Sequence, residues 1–523
     1  MATQLPERPN LEQLKRQAKD LLRSAKARQS DALARFRTLP AFAHQRDDTQ
    51  LAATIALHDA QSVVAREHGF ASWAALAERI EEMTLQFDAA VVQFVEAATE
   101  VQPARAERLL RLFPRIAAAG FHTALLLGDV AEVERWLAER PSLATETGGP
   151  RSWEPLLYLC HTSLEFGAAT RRDGLVACAR QLLAHGADAN GRYPWLHHGV
   201  QRAALWGAVC VTRLLPLARL LLEHGADPND GVTLPLAASG GDLDALELLH
   251  AHGANVNQPW ASDGSATIYA ILNWADTPVG VRWLLEHGAD PDPVFAANGE
   301  TPLHAVARRG EAATCDMLVR RGAAIDRSRN DGRTPYAVAE LAGNHAVARY
   351  LAEHGASTDL SRVDQLVAAC SRGDRASAEA MLAAQPELAS QLGPEHYAAL
   401  YRAAERDDTR ALETMLACGF DPNHADEEIG KTALHAAAHE GRPESTRVLL
   451  AHGASVSARD REFHGQPLVW AADGFRSHAP DHRDYGQVAR LLLEAGSPVE
   501  WETGEEPAAE IVEIINGWRV LVQ

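Results

Sequence analysis

Residues Asn298-Gly299-Glu300-Thr301-Pro302-Leu303-His304-Ala305-Val306-Ala307-Arg308-Arg309-Gly310 decide how this chain is read. Thr301-Pro302 opens a helix, because proline suits the first helical position, where no backbone donor is needed. Leu303, Val306 and Ala307 fall on one helical face, and Gly310 closes the segment. A second helix follows, with Cys315, Leu318 and Val319 on its apolar face, and Gly322 stands just past its end, where a left-handed backbone suits glycine. Asp331-Gly332-Arg333-Thr334-Pro335-Tyr336 then restarts the sequence, and its second helix ends at His354-Gly355-Ala356. The step from Gly322 to Gly355 is 33 positions. One such helix pair cannot bury its own apolar face, so the units must stack.

The closing signature recurs as Leu-Leu followed by His-Gly-Ala or its variants: at His185-Gly186, His224-Gly225, His252-Gly253, His287-Gly288 and His452-Gly453, with Ala495-Gly496 and Cys418-Gly419 as diverged copies. This recurrence makes the histidines part of the repeat rather than metal ligands. The period, the Thr-Pro-Leu-His opening and the helix–turn–helix order together resemble the ankyrin repeat. The fold expected from that resemblance is an all-α solenoid of stacked helix pairs with hairpin-like turns, preceded by a small helical N-terminal domain. Two units close on proline instead, at Pro141 and Pro386, and each opens a more regular run. The expected organisation is a helical module over 1–115, arrays over 116–358 and 359–499, and an acidic capping segment over 500–523. Insertions are expected near 162–173, 192–217 and 473–486.

The 523 residues carry a formal charge of −20, unevenly spread. Residues 1–46 hold ten Lys/Arg and four Asp/Glu, net +6, which leaves −26 for the rest. An acidic body disfavours broad nucleic-acid or anionic-membrane binding. Six dispersed cysteines without a C-x-x-C pair suit a reducing, cytoplasmic setting. No apolar run is long enough for a membrane span, and Met1–Asn10 lacks an apolar signal core.

The opening Leu5-Pro6-Glu7-Arg8-Pro9-Asn10-Leu11, with the later Gly69-Phe70-Ala71-Ser72-Trp73, resembles the N-terminal module of many bacterial ankyrin-repeat proteins. Leu11, Leu14, Ala18, Leu21 and Leu22 form its apolar stripe. The opposite face (Lys15, Arg16, Lys19, Arg23, Lys26) reads either as a solvated helix face or as a contact for nucleic acid or phospholipid.

In ankyrin-like units the two residues before the glycine that closes the first helix line a concave groove. By position, the resemblance implies groove residues His161, Trp206, Asn273, Trp274, Arg308, Arg309, His439, Glu440 and Asp473. The residue before Thr-Pro sits on the hairpin finger, which gives Trp153, Glu300, Arg333 and Lys431. The repeat does not require a large aromatic at Trp206 or Trp274. Exposed tryptophan on a rigid surface is a typical interaction anchor, whereas insertions folded over these rings would make them local core. Trp195 and Trp260 extend the aromatic stretch.

His478 and His482 stand four apart among carboxylates, but Pro480 interrupts helical spacing, so no metal is expected there. No phosphate-binding loop, dinucleotide fingerprint, H-E-x-x-H or G-x-S-x-G occurs. The expected function is recognition of a protein or peptide in the concave groove, with no cofactor and no catalytic residue. The alternative is an enzyme, or a binder of a small polar ligand such as a sugar, with its pocket among the insertions.

Overall fold

The computed structural model describes residues 5–6, 9–39, 42–43, 45–100, 102–164, 169–195, 200–274, 277–477 and 483–498. The capping helix expected over 500–523, and His478 and His482, lie outside the described residues. The described chain is an all-α solenoid, and its one paired sheet among the described residues is a two-stranded hairpin. It divides into two compact units. One holds described residues of 1–84, 337–345 and 358–498, and the other holds those of 85–336 with 346–357.

The N-terminal helices carry their own core, from Leu14 to Ile80. Asn10 caps the helix Leu11–Lys26 by accepting from the Gln13 amide at 3.2 Å. Leu14, Ala18, Leu21 and Ala25 are buried, which leaves Arg16, Lys19, Arg23 and Lys26 outward. Gly69 has φ +85° after the helix Leu57–Glu67, and the Ser72 hydroxyl accepts from the Ala75 amide.

Each repeat shows why its residues were chosen. In the helix Pro302–Arg309, the backbone amide of Thr301 donates to His304 Nδ1 at 3.1 Å, and His304 Nε2 reaches the Arg333 carbonyl of the next finger at 3.1 Å. Thr432, His435 and the Gly465 carbonyl repeat this arrangement. The first-helix histidine is therefore both an N-terminal cap and a tie to the neighbouring repeat. The His-Gly-Ala histidines do a different job. Nδ1 of His185, His224, His252, His287, His354 and His452 lies 2.7–2.9 Å from the carbonyl four residues back, so each ring closes its own helix end. The glycines that follow hold φ between +84° and +91°.

Asparagines link successive turns. Asn190 donates to the Gly225 carbonyl at 2.9 Å and accepts from the Asp227 amide at 2.8 Å, and Asn229, Asn257 and Asn423 act alike. Leu303 to Ala307 are all buried, whereas in the second helix of that repeat only Thr314, Cys315 and Leu318 are. The inner helices thus sit between layers, and the outer helices face solvent on one side. Among the described residues no helix is long and apolar enough to cross a membrane.

Candidate functional site: an aromatic and cationic strip

The expected insertion at 192–217 contains the hairpin. Strand β1 (Arg192–Pro194) pairs antiparallel with β2 (Gln201–Ala203), in a register that sets Tyr193 opposite Arg202. Side chains alternate along a strand, so Trp195 falls on the same face as Tyr193. The Trp195 amide extends the pairing by donating to the Val200 carbonyl at 2.9 Å. Three residues remote from the repeat pattern are brought together in this way.

Arg202 lies between two indoles, its guanidinium carbon 3.5 Å from the Trp195 ring centroid and 3.9 Å from that of Trp206. Tyr193 stacks on Trp153 of the preceding finger at 4.2 Å, with planes 31° apart. Burial raises the Tyr193 pKa, and the hydrogen bond and charge of Arg202 oppose it. Arg151 pairs with Glu100 and donates to Thr99 at 3.3 Å. Arg151, Trp153, Tyr193, Trp195, Arg202 and Glu100 line a cavity of ≈ 410 Å³.

Trp206 departs from the expectation of an exposed anchor. It is only 7% exposed and packs with Val200 and Val232. The reason is local: the three-residue helix Ala204–Trp206 runs into a π-turn over Gly207–Val211, which tucks the indole against His161 at 5.5 Å. A β-carbon at Gly207 would stand 2.6 Å from the His161 ring and 2.7 Å from the Cys160 carbonyl, so the close approach requires glycine. His161 is likewise interior, at 1% exposure. Its Nδ1 bonds the Leu157 carbonyl at 2.8 Å, while burial pushes its pKa down to about 4, so the ring is neutral. His161 Nε2, Thr162 Oγ1 and Trp206 Nε1 are buried without a hydrogen-bond partner among the described residues.

Trp274 is 41% exposed and meets Trp260 edge-to-face at 4.5 Å, and Trp260 in turn packs on the cluster of Trp206. The strip therefore runs from Trp153 through Tyr193, Arg202 and Trp206 to Trp260 and Trp274. Beyond it, Asn273 accepts from Arg308 at 2.9 Å. Arg308 also pairs with Glu300, which is 1% exposed and further bound by Arg329 at 2.7 Å and the Tyr269 hydroxyl at 2.7 Å. Burial pushes the Glu300 carboxyl up, but the Arg308 charge and the hydrogen bonds from Arg308, Tyr269 and Arg329 outweigh it and hold its pKa at about 2. Arg309 remains exposed.

In the other unit, His439 Nε2 lies 3.6 Å from Asp473, His439 Nδ1 lies 3.5 Å from Glu440, and Glu440 pairs with Arg483 at 3.1 Å. Asp473 stands inside the helix Pro467–Ser477 rather than in the loop expected there. Trp470, which sequence reasoning passed over, packs against His439 at 5.6 Å and donates to Asp460 at 2.9 Å. Lys431 on its finger lies 3.7 Å from Glu405. Among the described residues no three His, Cys, Asp or Glu side chains converge as metal ligands. Tyr193, Arg202 and Arg151 were also missed. Tyr193 and Arg202 lie on strands of only three residues, too short to show a period of two, and Arg151 lies in the turn before Trp153.

Comparison with known proteins places these features. The family model for ankyrin repeats matches residues 267–362, 366–460 and 400–500. The chain is 25% identical over 295 residues to the E3 ubiquitin-protein ligase KEG of Arabidopsis thaliana, covering 54% of this chain and 16% of that protein. It is 25% identical over 264 residues to the ankyrin repeat and KH domain-containing protein mask-1 of Caenorhabditis elegans, covering 49% and 10%. With human ankyrin repeat and SOCS box protein 2 it shares 34% over 112 residues, covering 20% and 18%. The chain thus spans less than a fifth of the length of these relatives.

Proposed function

We propose that this chain, an ankyrin-repeat protein, is an interaction scaffold that holds a protein or peptide partner on the concave side of its repeats. The observation that carries this reading is the half-exposed Trp274, set on Trp260 at a groove position and continuous with the aromatic strip. Rigid tryptophans on a preformed surface give large contact area at small entropic cost, and they dominate binding energy where they are found. The buried Glu300–Arg308–Arg329 network beside it fixes the neighbouring finger and helix relative to each other. The relatives carry ankyrin repeats beside other functions in their names, which suits a binding array rather than a catalytic centre. The same cavity could be read as a site for a small polar ligand, and the peptide reading accounts better for the strip's extension to Trp274.

Site-specific photocrosslinking tests this. A benzoylphenylalanine at position 274 should capture discrete partners in a lysate of the native host, while the same probe at the outer-helix position 320, whose side chain is 77% exposed, should not. Equal labelling from both positions would overturn the groove assignment.

A further inference from the structure

We propose that Arg202 is the recognition point for a carboxylate carried by a peptide partner beside an aromatic residue. This rests on the scaffold reading and names the chemistry of one of its subsites. A guanidinium has donors only in its plane and no acceptor. The indoles of Trp195 and Trp206 lie 3.5 and 3.9 Å from the Arg202 guanidinium carbon and its edge also meets the Tyr193 hydroxyl, so a ligand is met through the edge donors that remain. The aromatic faces also replace part of the cation's hydration without neutralising it. The nearby carboxylates are already engaged, Glu100 with Arg151 and Asp227 with Arg192. Among the described residues none stands in ion-pair range of Arg202. A planar, preoriented fork of this kind matches a carboxylate in two parallel hydrogen bonds.

Charge selects the carboxylate over a phosphate. Arg151 and Arg202 contribute two positive charges to the cavity lining, and Glu100 contributes one negative charge. The net of one matches a singly charged anion, and a doubly charged phosphate would meet Glu100 as well. The other wall is Trp153 packed on Tyr193 with tilted planes, which suits an aromatic side chain next to the acid. The cavity's ≈ 410 Å³ has room for two side chains, not for a folded domain.

The test uses the full chain and calorimetric titration with three short peptides. Acetyl-Gly-Phe-Asp-Gly-amide carries a side-chain carboxylate, acetyl-Gly-Phe-Asn-Gly-amide is its neutral counterpart, and acetyl-Gly-Gly-Phe ends in a free carboxylate. The Asp peptide should bind about tenfold more tightly than the Asn peptide, as charge-assisted bidentate pairing implies. Arg202→Gln should erase that difference. Arg202→Lys should keep only part of it, because an ammonium has no planar fork. The third peptide separates the sources: if it outcompetes the Asp peptide, the carboxylate is a chain terminus. Equal affinity for the Asp and Asn peptides, a preference that survives Arg202→Gln, or no binding at all would overturn the proposal. If the two peptides bind equally but both weaken in Trp153→Ala, the carboxylate subsite fails while the groove reading stands. Loss of selective crosslinking from position 274 would remove that reading separately.

Discussion

Trp206→Ala should destabilise the protein rather than merely weaken binding. The ring is 7% exposed and packed among Val200, Val232 and His161, so its removal leaves a cavity, and truncating a buried tryptophan costs about 3–5 kcal/mol. The contact with Arg202 at 3.9 Å is lost too, at about 1 kcal/mol. Acting against both, the indole N–H has no partner among the described residues, and its removal relieves about 1–3 kcal/mol. The net expectation is about 3 kcal/mol. At a denaturant slope of about 3 kcal/mol/M this lowers the urea midpoint by about 1 M. Trp206→Phe separates the terms, because it keeps most of the ring and removes the N–H, so its cost should stay within about 1.5 kcal/mol. Repeat arrays can unfold in parts, so circular dichroism should be paired with hydrogen exchange over the helix Leu215–Glu223, where protection should fall first. An unchanged midpoint in Trp206→Ala, together with lost partner capture, would refute the buried reading and restore Trp206 as an exposed anchor.

Trp274→Ala should do the opposite, with a melting change worth about 1 kcal/mol or less and a binding loss of about thirtyfold in a titration with the captured partner. Gly207→Ala places a methyl 2.6 Å from the His161 ring and should cost about 1–3 kcal/mol, read from the same urea titration. Glu300→Gln leaves Arg308 and Arg329 without their shared charge and should cost about 3–5 kcal/mol in thermal or urea unfolding. Acidification should also destabilise. His161 has a folded pKa of about 4 against 6.5 when unfolded, so the unfolded chain binds the proton first, and stability falls as pH drops from 6.5 toward 4. The loss is about 3 kcal/mol, and a His161→Leu variant should show a flatter urea midpoint across that range. Below pH 4.5 the Glu300 carboxyl, held at about 2, adds a second loss.

Much of the fold was legible because its signals are local. The Thr-Pro helix start at Pro302, the left-handed glycine at Gly322 and the 33-residue step each depend on residues within a few positions of one another. The same alignment assigns Trp274, Arg308 and His439 to groove positions. What they touch could not. Arg308 binds Asn273 and Glu300 from different segments, and Glu300 was placed only as a finger residue, although it is the centre of a buried charge network. The reading of Trp206 as exposed failed because the insertion breaks the period. No repeat rule predicts a π-turn over Gly207–Val211.

The sequence by itself determined the repeating helix pairs, their caps and the requirement to stack, because capping and apolar periodicity act within one or two turns of chain. Only the tertiary structure decided which aromatic rings are core and which are surface, and that Tyr193, Trp195 and Arg202 form one face. Those outcomes depend on strand register and on contacts between repeats, where pairing partners are distant in sequence and a one-residue shift in register would turn every side chain of the hairpin to the other side.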